Sequence, residues 1–431
     1  MLYDNLSVNA AGHLVFAGYD TTELAAQYGT ALMLLDEQAI RSRCRTYLSA
    51  MAEHLPAGSM PLYASKALSF KRMYEIMKEE GMGIDVVSSG ELNTALRAGF
   101  PLEKAFFHGN GKTDFDISFA MEHGMGYFVC DNADELNAID AEAGRRGIKQ
   151  KILLRLTPGI DPHTHAKINT GRIDSKFGAA IETGQAEELV VMALGKANVE
   201  VCGYHCHIGS QIFEHDPFCD AAVLMLKFIA QIRAKHGYMP QYLNLGGGMG
   251  VPYVESDPKI DYTANIASIG KLIAATCEEL GIEPPAILME PGRSIVADAG
   301  MTLYSVTSIK KIPGFKNYAA INGGMTDNPR YTLYQSSYTV LPANRMNDEA
   351  DFVCTIAGCC CESGDLIQED VSLPEPKRGD LVAVLTTGAY NYSMASNYNR
   401  VPRPPVVMIG AHGPYVAVRR ESLDDIVEYD M

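Results

Sequence analysis

Eight short apolar runs, each closed by polar or glycine residues, recur between residues 60 and 293: "MPLYAS", "GIDVVSS", "KAFFHGN", "GYFVCDN", "KILLRLTP", "VCGYHCHIGS", "YLNLGGG" and "AILMEPGR". Segments with helical periodicity separate them, among them "FKRMYEIMKEEG", "SGELNTALRAGF", "DNADELNAIDAEAGRRG" and "FCDAAVLMLKFIAQIRAKHG". Strand-like runs alternating with helix-like segments imply βα units and a parallel sheet. Eight such runs within roughly 230 residues fit a (β/α)8 TIM-like barrel. A doubly wound sheet is the alternative, but no G-x-G-x-x-G follows the first run. After residue 293 the texture changes. "IVADAGMTLYSVTSIKKI", "KNYAAING", "DFVCTIAG", "DLVAVLTT" and "PPVVMIG" are β-rich and separated by turn residues. The expected architecture is therefore α/β: a barrel over residues 36–293, and a mainly antiparallel β-domain from residues 1–35 and 294–431. "GHLVFAG" and "TALMLLD" near the N-terminus are candidate strands of the second domain.

Composition narrows the function. A net charge of −16 without a basic run argues against nucleic acid and anionic membrane as partners. No stretch of about 20 apolar residues offers a membrane span. The start, "MLYDNLSVNAAGHLVF", lacks the basic and apolar pattern of a signal peptide. Ten cysteines in 431 residues read as reduced thiols rather than a disulfide scaffold. A cytoplasmic protein is expected. No C-x-x-C pair occurs, which weakens a structural zinc reading.

Barrels place their chemistry at the C-terminal ends of the strands. The runs deliver there Lys66, Asp85 followed by "SSGE", "HGNGK", Arg155, His205 and His207, the glycines 246–248, and Glu290 with Arg293. Lys66, flanked by apolar residues, is either a snorkelling surface lysine or an amine that forms a Schiff base. "LGGGMG" near the end of the seventh run leaves backbone N–H groups able to approach a phosphate, although a triple glycine also serves as a plain turn. Glu290 in "MEPGRS" is either half of a loop ion pair or a carboxylate that keeps a pyridine nitrogen protonated. On a strand, His205 and His207 share a face and Cys206 points away. A zinc site would need ligands from both faces, so no metal is expected.

"YASKAL", "HCHIGSQI", "NLGGGMGVPY", "EPGRS", "CESGD" and "GAY" occur in the order found in alanine-racemase-like, fold type III decarboxylases that use pyridoxal 5'-phosphate (PLP). Within that family, "THAKINTGRIDSKFG" and "HCHIGSQI" resemble the diaminopimelate decarboxylases. The resemblance spans nearly the whole chain, from "YGTALMLLDE" to the last "GPY". It implies PLP on Lys66, with Asp85, His207, Ser210, Gly247, Gly248, Glu290, Gly292, Arg293 and Tyr390 around it. His207 becomes the imidazole stacked on the cofactor ring, Ser210 and Tyr390 lie at the phosphate, and His205 is a packed barrel histidine. Cys361 of "CESGD" becomes the catalytic proton donor, contributed by the second subunit of a homodimer. Its bland reading is a buried thiol in a run of three cysteines.

The implied reaction is decarboxylation of meso-2,6-diaminopimelate to L-lysine and CO₂. That substrate keeps a carboxylate and an ammonium at its non-reacting end. Arg330 suits the carboxylate, Tyr334 adds a hydroxyl and Glu362 suits the ammonium, with Arg293 and Tyr390 beside them. Two positions depart from the family pattern. Leu68 stands where Asn is usual, and "RYTLY" replaces Arg-Pro-Ala-Leu-Tyr while keeping Arg330 and Tyr334. Two rival readings remain: a decarboxylase for another diamino acid or carboxynorspermidine, and a PLP-binding carrier without turnover. The simple diamino acids have no use for Arg330, and a carrier has none for Cys361 and Glu362.

Overall fold

The computed structural model describes residues 3–160 and 175–431, so residues 164–174 of the "THAKINTGRIDSKFG" stretch lie outside the described residues. The chain divides into two compact units, one of residues 42–250 and 259–292, the other of residues 1–41, 251–258 and 293–431. The segment 251–258, counted with the barrel on sequence, belongs to the second unit.

All eight expected strands form in the first unit. They are β1 (Met60–Ala64), β2 (Gly83–Val86), β3 (Ala105–Phe107), β4 (Tyr127–Cys130), β5 (Gln150–Thr157), β6 (Val199–His205), β7 (Tyr242–Asn244) and β8 (Ala286–Met289). Each pairs in parallel with the next, and β8 pairs with β1, which closes the barrel. Helices follow the strands, for example Lys71–Glu80 after β1 and Ser89–Arg97 after β2. The second starts where "SSGE" builds a cap: Ser88 Oγ accepts the Glu91 N–H at 3.2 Å, and Glu91 Oε2 accepts the Val87 N–H at 2.7 Å.

Leu62, Phe106, Val129, Leu153, Cys202 and Leu288 fill the barrel floor. Cys202 joins them because a register shift between Val201 and Gly203 inserts an extra residue against β5. Burial pushes this thiol up to about 12, so it behaves as a small apolar group. Two residues further along the same strands, Leu153 and Gly203 give way to the paired Arg155 and His205. An apolar floor thus supports a polar layer at the C-terminal end.

The second unit is built on a mainly antiparallel sheet in the order Leu366–Leu373, Phe352–Ala357, Lys316–Ile321, Gly300–Ile312, Leu32–Asp36, Val406–Gly410 and Gly413–Val418. "TALMLLD" supplies the interior strand Leu32–Asp36, buried throughout its length. "GHLVFAG" instead enters a separate three-stranded sheet through Leu14–Phe16. Leu14 and Phe16 still share a core with Leu32, Leu34, Met301, Leu385 and Val407. Among the described residues no helix is long and apolar enough to cross a membrane.

Candidate active site

Lys66 sits in the single 3₁₀ turn Ser65–Ala67 that directly follows β1. Its Nζ lies 3.4 Å from Oδ2 of Asp85, which is fully buried on β2. Glu290 follows β8 and is 3% exposed. The Asn244 side chain donates to Glu290 Oε1 at 2.7 Å. His108 Nε2 is 3.0 Å from the same oxygen, and His205 Nε2 is 3.4 Å from Oε2. The two imidazoles meet edge to face with centroids 4.8 Å apart. His108 also approaches Asp85 Oδ1 at 3.9 Å, which joins the Lys66 pair to the Glu290 network.

The charge states follow from these contacts. Burial opposes ionisation of Glu290, but the adjacent His108 and His205 imidazoles outweigh it and hold the carboxyl well below its usual range. Burial drives His205 down to about 3 against the pull of Glu290, so its imidazole is neutral and donates an N–H. His207 also falls well below the usual histidine value, through burial and then Lys66. Burial lifts Glu91 up to about 7 against its Val87 N–H bond, and Asp85 adds to the rise. The mouth therefore holds one carboxylate kept ionised and another that titrates near neutrality, an arrangement common at catalytic sites. His108, His205 and Glu290 also bring three ligand atoms within 4.8 Å, a grouping that the sequence alone does not reveal. It is one ligand short of a closed zinc site.

Above this layer runs the glycine loop. Gly246 N–H donates to Asn244 Oδ1 at 2.8 Å, and Gly247 N–H donates to His207 Nδ1 at 3.3 Å. The strand stops at His205, so His207 reaches this position from the following loop rather than from a strand face. A Cβ on Gly247 would lie 2.1 Å from the Glu290 carbonyl oxygen, so a side chain there is excluded. The loop carrying Ser210 lies alongside: Ile212 N–H donates to the Gly248 carbonyl at 3.0 Å, and Gly250 N–H donates to the Ile212 carbonyl at 2.9 Å. Gly292 closes against β1, where a Cβ on it would lie only 3.0 Å from the Ala64 methyl.

The second unit gathers the remaining cations. Arg330 opens the short helix Arg330–Tyr334, which places Tyr334 one turn on along the same face. Arg330 Nη1 donates to Tyr338 Oη at 3.0 Å, and the guanidinium lies 4.6 Å from the centre of the Tyr253 ring. Arg293 Nη1 donates to Tyr253 Oη at 2.6 Å, and its guanidinium lies 4.8 Å from the Tyr390 ring. Tyr390 is held at φ +60°, a conformation a bulky side chain rarely adopts. Cys361 and Glu362 are exposed on the loop between Phe352–Ala357 and Leu366–Leu373. Buried Asp365 fastens that loop by accepting the Met325 N–H at 2.6 Å and the Cys360 N–H at 2.7 Å. Burial and Asp365 push the Cys360 thiol up to about 12.

Residues 37–297 match the family described as pyridoxal-dependent decarboxylase, pyridoxal binding domain. The chain is 43% identical over 425 residues to the diaminopimelate decarboxylase of Bacillus subtilis, covering 98% of this chain and 96% of that protein. It is 44% identical over 416 residues to the Bacillus methanolicus enzyme of the same name, covering 96% of each. The chain belongs to the diaminopimelate decarboxylase family. Solved structures agree. The diaminopimelate decarboxylase of M. jannaschii superposes with a TM-score of 0.92 at 32% identity, over 99% of this chain and 98% of that one. The Helicobacter pylori diaminopimelate decarboxylase complexed with L-lysine gives 0.86 at 31% identity, over 95% and 98%.

Against the family pattern, both departures have a local physical account. Leu68 is fully buried, and its carbonyl accepts the Tyr63 hydroxyl at 2.8 Å. In "RYTLY", the Tyr331 hydroxyl bonds Glu369, and Thr332 Oγ1 donates to the Gly364 carbonyl at 2.8 Å. Neither contact uses Arg330 or Tyr334. Sequence reasoning brings His108 to the mouth within "HGNGK" without a role of its own, and leaves out Asn244, Tyr253 and Tyr338. His108 directly follows β3 and Asn244 is the last residue of β7, so reading the polar residue at each strand end finds both. Tyr253 stood inside "NLGGGMGVPY" without an assigned role, and Tyr338 carries no sequence signal.

Proposed function

We propose that this chain is a PLP-dependent carboxy-lyase that removes CO₂ from meso-2,6-diaminopimelate and releases L-lysine. The observation that carries this reading is Arg330, a guanidinium 5% exposed and kept charged against its burial by aromatic neighbours, in a chain of this family. A second carboxylate on the substrate is what such a group recognises.

The barrel fits the cofactor that family membership implies. It offers an amine at the mouth, an ionised carboxylate beneath, and a loop where glycine is sterically required. Asp85 Oδ1 and His205 Nδ1 are buried polar atoms lacking a hydrogen-bond partner among the described residues. Lys66 would hold the cofactor through its carbonyl carbon, with Asp85 beside it. Glu290 would keep the ring nitrogen protonated, and His207 would lie against the ring. Ser210, Gly247, Gly248, Gly292, Arg293 and Tyr390 would receive the phosphate. When bound, the cofactor supplies an electron sink for the pair left behind as CO₂ departs. The chain's own work is then to orient the bond to be broken and to return a proton. Arg330, Tyr334, Arg293, Tyr390 and Glu362 grip the non-reacting end, and Cys361 protonates the former α-carbon. Exposure of Cys361 and Glu362 in the single chain supports their delivery into the site of a second copy, making the enzyme a homodimer. The compartment consistent with this chemistry is the cytoplasm.

The deciding assay offers the PLP-loaded protein meso-diaminopimelate, ornithine, arginine and lysine separately, and measures CO₂ and amine product. Turnover of meso-diaminopimelate alone is expected. Preference for ornithine or arginine would overturn the substrate, and no CO₂ from any of them would favour a carrier. Borohydride reduction followed by peptide mapping should label Lys66. Mixing inactive Lys66→Ala and Cys361→Ala variants should restore a fraction of activity, whereas no recovery despite proven subunit exchange would place both residues in one chain's site.

A further inference from the structure

Arg330 is deeply buried, yet among the described residues no carboxylate lies within ion-pair distance of it. Its only hydrogen bond there goes to the neutral Tyr338 hydroxyl at 3.0 Å. Its other neighbours are ring faces: Tyr253 at 4.6 Å and Tyr338 at 5.7 Å from the guanidinium carbon. Those two rings meet edge to face, with centroids 5.5 Å apart and planes at 79°. The Tyr338 hydroxyl is anchored in turn by donating to Asn391 Oδ1 at 3.3 Å. Tyr253 has a second task, because its hydroxyl accepts the Arg293 N–H at 2.6 Å. One ring therefore supports Arg330 on its face and Arg293 at its edge. A ring face attracts a cation but cannot neutralise it. A partner carboxylate would have spent the forked donors that a ligand carboxylate needs.

We infer that Tyr253 and Tyr338 are positioning residues that set specificity for a ligand carrying a distal carboxylate, by holding Arg330 charged, aimed and free of any internal anion. The inference rests on the proposed reading of Arg330 as the distal-carboxylate group. It explains discrimination as well as affinity. A diamine that lacks the carboxylate leaves a buried guanidinium without an anion, and that is costly.

The test compares two inhibitors that differ only in that group. L-Lysine keeps the distal carboxylate, and cadaverine lacks it. In the PLP-loaded enzyme, Tyr253→Leu should raise the KM for meso-diaminopimelate and the Ki of L-lysine by about 10-fold, the range of one desolvated cation–π contact. Because Tyr253→Leu also releases Arg293 from the Tyr253 hydroxyl, its kcat and cadaverine Ki are read against Tyr253→Phe, which loses that bond alone, and should match that variant within about threefold. Tyr253→Phe keeps the face and should recover most of the L-lysine affinity. Tyr338→Phe loses the bond to Arg330 and should raise the L-lysine Ki several-fold, again sparing cadaverine. This variant decides the question should Tyr253→Leu fail to fold. Equal losses for both inhibitors, or an unchanged L-lysine Ki in Tyr338→Phe, would overturn the inference. Arg330→Lys separates the two levels. If it leaves the L-lysine Ki untouched, the reading of Arg330 itself fails; if it weakens L-lysine while the tyrosine variants do not, only the role of the tyrosines falls.

Discussion

Glu290 at the end of β8 and Arg330 at the start of its helix are almost equally buried, at 3% and 5% exposure, but they keep their charges by different means. Glu290 accepts from the Asn244 amide at 2.7 Å and meets the His205 imidazole at 3.4 Å, with His108 Nε2 at 3.0 Å. Arg330 is supported by ring faces and a single hydroxyl. Donors fix where an anion's lone pairs point, as the proposed contact with a ring nitrogen requires. Aromatic faces leave the guanidinium's forked donors unspent, as the proposed grip on a substrate carboxylate requires. Among the described residues Arg330 has no carboxylate in contact, and an incoming anion would satisfy it.

The comparison can be broken most severely at the anion. Glu290→Gln keeps the shape and removes the charge. It should lower kcat/KM for meso-diaminopimelate by about 100- to 1,000-fold, the scale of losing one preorganised electrostatic group, with L-lysine still bound. Steady-state kinetics that stay within a few-fold of the parent would remove Glu290 from the chemistry. At the cation, Arg330→Lys loses the fork, and kcat/KM should fall by about 10- to 100-fold. The absorption of bound cofactor should not change, because other residues hold it.

A third test sharpens the contrast between buried carboxylates. Unlike Glu290, Asp327 of the second unit is lifted by burial up to about 6, against its bonds from the Tyr304 hydroxyl and the Gly324 N–H, and Asp365 adds to the rise. A carboxyl raised on folding stabilises the fold fully below its ordinary value of 3.8, and that contribution is lost as pH rises through about 6. Relative to Asp327→Asn, the parent should therefore lose on the order of 2–3 kcal/mol between about pH 4 and 6. Denaturant midpoints measured across that range check the sign. Parallel curves would mean that Asp327 is ionised throughout. The smallest effect is expected at the tether peculiar to "RYTLY". Thr332→Val removes the donor to Gly364 and should cost about 1 kcal/mol by thermal melting, with KM for meso-diaminopimelate moving less than about threefold because Arg330 keeps its own supports.

The barrel residues of the proposed site are legible because they lie at or next to strand ends. Lys66, His205 and Glu290 each follow or close an apolar run, Asp85 stands one residue before the end of β2, and a βα alternation brings such ends to one mouth. His207 differs from the strand-face placement its spacing suggests, since the strand ends two residues earlier and the loop carries it to the Gly247 N–H. Arg330 and Tyr334 were legible from one motif on one helical turn. Their supports were not, because Tyr253, Tyr338 and Asn391 come from separate loops with no shared periodicity.

What the sequence determined by itself was the alternation of period-limited apolar runs and helices, hence a closed parallel barrel, its reactive end, and the identities of the amine and the acid offered there. These are local properties: run length, side-chain polarity and the order of elements along the chain. Only the tertiary structure decided that His108 and Asn244 flank Glu290, and that Tyr253 lies under Arg330 while bonding Arg293. Those contacts depend on strand register and on the path of loops between residues far apart in sequence, and hydrophobic pattern carries no information about either.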